Sequence, residues 1–276
     1  MFKTLMDKTC AFDAEWVPCA ETGRRLFNLD AGLSEAEVFE AMWANYRREG
    51  EAADTQPFLK LVLSKVVSIA AVFRTVEKGR TPLELLSVGL HGPVTEGAMI
   101  RRFLERVAED GRQLWGFSSR SADVPILVQR AIVLGVPLPK FANLRNRNQD
   151  YFFRFGDSHM DLLDMVQGFG GSAKPSLNEL AVACGIPGKL GTAGGDVAQL
   201  YLAGDVQAIV DYNEFDALTT HLLMLRVAFI AGHLSQGEYA AEQAAVKQLL
   251  ANETAKGKGH LALFAQAWNE MATQPD

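Results

Sequence analysis

Cysteine and histidine are scarce in this 276-residue sequence, which contains three cysteines and five histidines. The three thiols, Cys10, Cys19 and Cys184, cannot all pair with one another. This small number of cysteines favours a reducing cytoplasm. No cluster of cysteine and histidine has metal-ligand spacing, which argues against structural zinc. Residues 1–8 lack the long apolar core of a signal peptide, so we predict no secretion signal.

Long hydrophobic runs and an excess of positive charge are also missing. The most apolar late stretch, from His221 to His233, is interrupted by Arg226 and falls short of the about 20 residues that span a bilayer, so we expect a buried helix and no membrane contact. Acids outnumber bases by 33 to 27, which argues against a protein that coats long nucleic acid through a basic surface. The charge is still compatible with an enzyme that holds a chain end through metal ions.

The composition, 48% hydrophobic and 22% charged, is that of a globular chain that can bury a full core. β-rich runs predict strands at 9–16, 66–74 and 83–90 that meander in one sheet, with a further buried strand at 113–117. Helical spacing predicts helices at 33–48, from Thr95 to Gly111 and from Asp205 onward. Residues 17–23 are predicted to be a loop, because Pro18 and Gly23 punctuate them.

The first strand carries two acids in the run Thr9-Cys10-Ala11-Phe12-Asp13-Ala14-Glu15-Trp16. Because side chains alternate along a strand, Asp13 and Glu15 share a face. Two neighbouring anions in apolar surroundings repel each other, and a divalent metal ion is the usual compensation. A chance pair of acids on a solvated edge strand would give the same pattern.

A third acid follows the strand at 113–117. Asp123 lies in the first turn of the helix after that strand, at the carboxyl edge of the sheet where α/β enzymes place reactive groups. An acid at this position also complements the helix dipole, which is worth about 0.3 to 1 kcal/mol. Both interpretations stay open on these residues alone.

The helix that begins at Asp205 contributes a phenol and a fourth acid. Tyr212 and Asp216 stand four residues apart and therefore share a face within an otherwise apolar segment. A tyrosine at the core boundary beside a solvated acid would look the same.

Upstream, the segment from Gly185 to Thr192 superficially has the residues of a phosphate-binding loop. Lys189 is followed by leucine, however, and a helix precedes the segment, so only a contact from Lys189 to a substrate phosphate is expected.

Taken in order, these segments resemble the DEDD superfamily of 3′-to-5′ exonucleases. The motifs are Phe12-Asp13-Ala14-Glu15, then the segment from Gly116 to Leu127 with Asp123, then Tyr212-Asn213-Glu214-Phe215-Asp216. The tyrosine four residues before the last acid marks the tyrosine branch, since the histidine branch would have histidine where Asp211 stands. The segments at 159–162, 176–180 and 185–190 further resemble exonucleases related to the proofreading domain of family B DNA polymerases. The resemblance runs from about residue 9 to Arg226.

The resemblance implies an α/β fold of the ribonuclease H type, with a central mixed sheet flanked by helices. We expect this exonuclease domain at 1–234. Residues 235–276 are alanine- and glutamine-rich and are predicted to form a helical hairpin, broken at 256–259, that packs on the same domain as a C-terminal extension.

The resemblance also implies a site for two divalent ions, Mg²⁺ or Mn²⁺. Asp13 would bridge both ions, Glu15 and Asp216 would complete the first, and Asp123 would hold the second, largely through water. Tyr212 would orient the attacking water together with Glu15, and the substrate contacts would come from Ser118, Arg120 and Lys189. Ser118 stands where relatives usually have asparagine, and Ala122 stands where they have a bulky apolar residue, so the substrate contacts of this motif stay open.

We therefore predict a metal-dependent exonuclease that removes nucleotides from the 3′ end of single-stranded DNA or RNA, with DNA favoured. One alternative is a non-catalytic ribonuclease H-like module that binds nucleic-acid ends or a partner protein. The retention of four mutually repelling acids and a tyrosine speaks against it. A second alternative is an unrelated metal-dependent hydrolase of a small phosphorylated molecule, which the order of strands and motifs disfavours. Any proofreading role would need a separate polymerase.

Overall fold

The computed structural model describes residues 4–142, 150–153, 155–167, 174–190 and 197–272. A single five-stranded sheet is described, with strand order β3-β2-β1-β4-β5. Its strands are β1 Lys8–Pro18, β2 Ser64–Thr75, β3 Leu83–Gly89, β4 Gln113–Gly116 and β5 His159–Asp161. The first three pair antiparallel as the predicted meander, whereas β4 and β5 run parallel to β1. This is the predicted mixed sheet of a ribonuclease H-like α/β fold.

The strand with the acid pair lies at the centre of the sheet. β1 pairs with β2 on one side and β4 on the other, so the edge-strand alternative is wrong. Cys10, Phe12 and Ala14 point into the core beneath the helices that follow β3 and β4. The odd-numbered side chains of β1 point to the opposite face, where Ala11 is fully buried. Asp13 and Glu15 therefore share the face of Ala11.

Helices cover both faces of the sheet. In chain order they are α1 Ala20–Phe27, α2 Glu35–Ala44, α3 Glu96–Asp110, α4 Asp123–Leu134, α5 Pro139–Ala142, α6 Leu162–Val166, α7 Leu177–Ala183, α8 Val197–Leu202, α9 Val206–Ile230, α10 Gln236–Ala255 and α11 His260–Ala272. The longest, α9, is buried on most of its circumference because it packs across β1, β2 and β3 and is covered by α10 and α11. None of the helices in the described part of the chain combines the length and apolar character needed to cross a bilayer.

The loop predicted at residues 17–23 is wrong. β1 continues to Pro18, the Cys19 N–H donates to the Leu63 carbonyl at 2.8 Å, and α1 begins at Ala20. Gly23 is not a turn residue, because a Cβ at that position would lie 2.4 Å from Met42 Sδ. This glycine instead allows α1 and α2 to pack closely, which no local pattern distinguishes from a loop glycine.

The predicted C-terminal helical hairpin is present. α10 and α11 pack against each other and against α9, and Lys256–Gly259 connects them. Ser235 begins α10 with a capping box, in which its side chain accepts from the Glu238 N–H and the Glu238 carboxylate accepts from Ser235. The boundary at residue 234 between an exonuclease domain and an extension stays a prediction.

Candidate active site

Three carboxylates converge where β1 passes beneath α9. Asp13 and Glu15 lie on one face of β1, and Asp216 reaches them from α9, so that one ligand oxygen of each lies within 4.8 Å of the others. Asp216 is buried, and the two acids of β1 are partly buried. The common face that period-two alternation predicts for the pair is therefore observed.

Asp123 joins this group through the backbone. Its carboxylate oxygen accepts the Ala14 N–H at 3.0 Å, so the first turn of α4 is bonded to β1 between the two strand acids. Burial raises the pKa of Asp123 to about 7, although the backbone hydrogen bonds oppose the shift. The structure thus brings all four predicted acids together. Asp123 binds the backbone of β1 in addition to lying at the N-terminus of its own helix.

The other three acids repel one another at close range. Burial, followed by the negative charge of Asp123, raises the pKa of Asp13 well above its usual value. Burial and then Asp216 do the same to the pKa of Glu15. Burial raises the pKa of Asp216 to about 6, a shift that the neighbouring Tyr212 hydroxyl and the charge of Lys189 reduce. Such a cluster needs positive charge before all its members can ionise at neutral pH.

Tyr212 lies one turn before Asp216 on the same face of α9. Its ring is almost fully buried, and its hydroxyl lies close enough to the Asp216 carboxylate for each group to shift the pKa of the other. Burial and the charges of Asp216, Glu15 and Asp13 raise the pKa of the phenol further above its ordinary value. The hydroxyl is therefore a neutral group at physiological pH.

Lys189 is the cation beside the cluster. Its side chain is exposed, its ammonium lies 5.8 Å from the centre of the Tyr212 ring, and it lowers the pKa of each of the three clustered acids. Two hydrogen bonds hold the segment that carries it. The Lys189 N–H donates to Asn178 Oδ1 at 2.8 Å, and the hydroxyl of Thr219 on α9 donates to the Pro187 carbonyl at 2.9 Å.

The loop between β4 and α4 contains Ser118 and Arg120. Asp161, at the end of β5, accepts the N–H groups of both residues at 2.9 Å, and this carboxylate also caps α6. The Arg120 guanidinium donates to the His159 carbonyl and lies 3.7 Å from Asp164, so it is engaged within the protein. Ser118 has a φ of 61°, a left-handed conformation that asparagine adopts more readily than serine.

Two further residues organise the site and were missed from the sequence. One is Asp161, described above. The other is Asn213, which is fully buried and hydrogen-bonded to Asp13 and to Ser68 on β2. The signal in the sequence was an asparagine between a tyrosine and an acid in an otherwise apolar helix, because a buried polar group must find a partner.

The donor set fits hard divalent cations. Asp13, Glu15 and Asp216 offer only carboxylate oxygens, the ligands that Mg²⁺ and Mn²⁺ prefer. The nearest histidine on the sheet, His159, is not a candidate ligand. Its ring nitrogens contact Ser119 Oγ at 2.9 Å and the Tyr151 carbonyl at 3.2 Å, and burial lowers its pKa to about 3.

A cleft with aromatic walls opens directly beside the acids. It has a volume of about 300 Å³, and Glu15 lies at one side of it. Trp16, Trp43 and Phe58 line the cleft, and the rings of Trp16 and Phe58 meet edge to face with centroids 6.4 Å apart. Phe58 is 72% exposed, so a large apolar ring faces solvent next to the carboxylates.

Fold and site together define an α/β protein of the ribonuclease H type with an acidic centre suited to divalent metals. Residues 56–268 match the family described as "Predicted 3'-5' exonuclease related to the exonuclease domain of PolB", and the chain belongs to this family. The resemblance inferred from the motifs is therefore confirmed. The matched segment includes Asp123, Tyr212 and Asp216 and begins after the two acids of β1.

The remaining comparisons add little detail. Comparison with curated proteins gives no significant match. Among solved structures, the chain is similar to the family B DNA polymerase from the hyperthermophilic archaeon Pyrobaculum calidifontis, with 18% identity, a TM-score of 0.48 and coverage of 80% of this chain. This chain covers 25% of the polymerase chain, so it spans about a quarter of that protein's length.

Proposed function

We propose that the protein is a metal-dependent exonuclease of the tyrosine branch that hydrolyses phosphodiester bonds at the 3′ end of single-stranded nucleic acid. One observation carries the proposal. Asp13, Glu15 and Asp216 converge on one point, Asp123 accepts the N–H between the first two, and the buried Tyr212 lies one turn before the last on the same face of α9. Family membership supports the reaction class, and the relation of that family to a DNA polymerase domain favours DNA over RNA.

The four acids are the residues that would hold two divalent ions, Mg²⁺ or Mn²⁺. Asp13 would contribute to both ions, Glu15 and Asp216 would complete the first, and Asp123 would serve the second. When bound, such ions supply a nucleophile at neutral pH, neutralise charge at phosphorus and stabilise the departing 3′ oxygen. The raised pKa values of the acids support this role, because burial and the negative charge of the neighbouring acids oppose their ionisation until a cation binds.

Tyr212 and Glu15 orient the attacking water. The phenol stays protonated, because its pKa lies above the ordinary value of about 10. It can therefore hold a water molecule through a hydrogen bond but does not serve as a strong base at neutral pH. Positioning of the nucleophile is its contribution.

Substrate contacts come from the exposed edge of the site. Lys189 reaches the phosphate of the terminal nucleotide, and its place near three acids supports this contact. Ser118 contacts the substrate from the loop before α4, and Arg120 would join it only by exchanging its contacts with the His159 carbonyl and Asp164 for the substrate. The cleft beside Glu15 receives unpaired bases against Trp16 and Phe58, since stacking of a base on an aromatic side chain tolerates any sequence but requires an unstacked strand.

The assigned roles are separated by comparing metal binding with cleavage. Asp13→Ala and Asp216→Ala should abolish cleavage of a single-stranded oligonucleotide and weaken Mn²⁺ binding, while the fold is retained because charge repulsion is relieved. Tyr212→Phe should slow cleavage but bind Mn²⁺ like the wild type. Asp54→Ala, at an exposed acid outside the site, is the matched control. Wild-type cleavage by either acid variant in saturating Mn²⁺ would reject the assignment.

A further inference from the structure

The face of α9 that points away from the site carries a buried acid. Glu214 lies between Tyr212 and Asp216 in the sequence but about half a turn around the helix, and only 1% of its surface is exposed. Three partners from outside α9 surround its carboxylate. Ser87 of β3 donates to it, Lys258 Nζ lies at 2.7 Å, and His260 Nε2 lies at 2.7 Å.

Two of these partners belong to the C-terminal hairpin. Lys258 lies in the connection between α10 and α11 and also sits 3.5 Å from Glu253 Oε2. His260 begins α11, and its Nδ1 lies 3.5 Å from Asp211 Oδ2, one residue before Tyr212. The hairpin therefore contacts Asp211 and Glu214 within the motif that runs from Asp211 to Asp216.

Apolar packing accompanies these charges. The rings of Phe215 and His260 have centroids 5.5 Å apart, and the ring of Phe215 stacks on that of Phe264 with centroids 5.8 Å apart. Apolar contacts alone are non-directional and let a helix rotate slightly at low cost. A buried carboxylate with three directional partners does not, because any rotation leaves a charge without its partners.

We infer that Glu214 is a positioning residue for the acid centre, and that Lys258 and His260 fix the rotation of α9 through it. This inference rests on the proposed function and deepens it. With Glu214 held on one side of α9, Tyr212 and Asp216 are held on the other side, where ligand oxygens of Asp216, Asp13 and Glu15 lie within 4.8 Å of one another. The C-terminal hairpin is then part of the catalytic unit and more than a cover for the apolar face of α9.

The test uses the full chain with Glu214→Gln, which keeps the shape of the side chain and removes its charge. Mn²⁺ affinity is measured by calorimetry on chelator-treated, dialysed protein, and kcat and KM are measured on a single-stranded DNA oligonucleotide. We expect the Mn²⁺ dissociation constant to rise about tenfold and kcat to fall about tenfold, as for residues that orient ligands indirectly. KM for the oligonucleotide should stay unchanged, because Glu214 does not face the substrate cleft.

Glu253→Gln is the matched control, because it removes a charge next to the same lysine without touching α9. It should leave Mn²⁺ affinity and kcat at wild-type values. If Glu214→Gln does not fold, Lys258→Met and His260→Phe test the same contacts from the hairpin, and each should weaken Mn²⁺ binding and lower kcat in the same direction.

The outcomes separate the inference from the proposed function. If the wild type neither binds Mn²⁺ nor cleaves, the proposed function fails and the inference fails with it. If the wild type does both and the Glu214 and hairpin variants lose thermal stability but keep wild-type Mn²⁺ affinity and kcat, only the inference fails. Glu214 is then a structural residue.

Discussion

The buried amide of Asn213 is hydrogen-bonded to the carboxylate of Asp13. With its amide oxygen accepting from Ser68 Oγ at 3.0 Å, its nitrogen lies 3.2 Å from the Asp13 carbonyl oxygen and 3.3 Å from Asp13 Oδ2. One side chain of α9 thus binds two neighbouring strands at the point where the acids meet. This contact orients the carboxylate that we assign to both metal ions.

Asn213→Ala is expected to lower metal affinity and cleavage together. The substitution leaves Asp13 without its partner and frees the carboxylate to rotate, a loss that typically costs about 10- to 100-fold in metal affinity or activity. Calorimetry with Mn²⁺ and initial cleavage rates measure the two effects. Asn252→Ala, at an exposed position on α10, serves as the control and should change neither.

The metal-free protein should lose stability from this cluster as the pH rises. The pKa values of Asp216 and Asp123, about 6 and about 7, lie above the value of about 3.9 for an unfolded aspartate, so the folded state binds more protons in this range. Their contribution to the free energy of unfolding is therefore present below about pH 4 and is lost as the pH rises through the folded pKa values.

Asp123→Asn isolates this effect, because the amide oxygen can still accept the Ala14 N–H. In chelator at pH 8 the variant should be more stable than the wild type by at least about 1 kcal/mol, and the difference should vanish near pH 4. Thermal unfolding across that range measures it. Saturating Mn²⁺ should reverse the order at pH 8, whereas Asp54→Asn should show no such pH dependence. A flat difference for Asp123→Asn would contradict the raised pKa.

The backbone of Ser118 adopts a left-handed conformation that is strained for serine and unstrained for glycine. Because φ is 61° at this position, Ser118→Gly should be more stable than Ser118→Ala by about 1 kcal/mol. Both variants lose the hydroxyl, but only alanine has a Cβ, which is strained in this backbone conformation. Ser118→Asn should also gain stability relative to the wild type. Denaturant unfolding measures these differences, and equal stability of the glycine and alanine variants would show that the loop adopts another conformation.

Lys189→Met should move metal binding to higher pH. Lys189 lowers the pKa of Asp13, Glu15 and Asp216, so its removal raises their pKa values, and metal ions bind the deprotonated carboxylates. The midpoint of Mn²⁺ binding against pH should therefore shift upward, and cleavage should fall about tenfold or more through the lost phosphate contact. Lys189→Arg keeps the charge and should retain the wild-type midpoint. An unchanged midpoint in the methionine variant would show that the Lys189 ammonium lies too far from the acids to affect their pKa values.

The sequence indicated the site because its chemistry follows from simple periodicities. Alternation along β1 predicted that Asp13 and Glu15 share a face, and helical spacing predicted the same for Tyr212 and Asp216. The resemblance that these motifs carry implied the mixed sheet. The two pairs of residues come together because β1 lies between β2 and β4. Local patterns do not encode this long-range pairing, so the sequence alone does not exclude an edge position for β1.

Contacts between distant residues account for what the sequence did not reveal. Gly23 has the local sequence pattern of a loop residue. The neighbour that requires a glycine there, Met42, is about twenty positions away in the sequence. Asp161 showed no pattern of its own, since its partners are backbone N–H groups at Ser118 and Arg120. Glu214 has the sequence pattern of any other helix acid, because its partners Lys258 and His260 lie 44 and 46 positions away.

The most direct measurement is the digestion of single-stranded DNA and RNA oligonucleotides labelled at the 5′ end, or blocked at the 3′ end, by pure protein with Mg²⁺, Mn²⁺ or chelator. We predict that 5′-labelled strands shorten stepwise with either metal, that a blocked 3′ end prevents this, and that chelator or Asp216→Asn stops it. DNA should be degraded faster than RNA. Failure of the folded wild-type protein to shorten either strand with either metal would contradict the account, as would degradation that proceeds from the 5′ end.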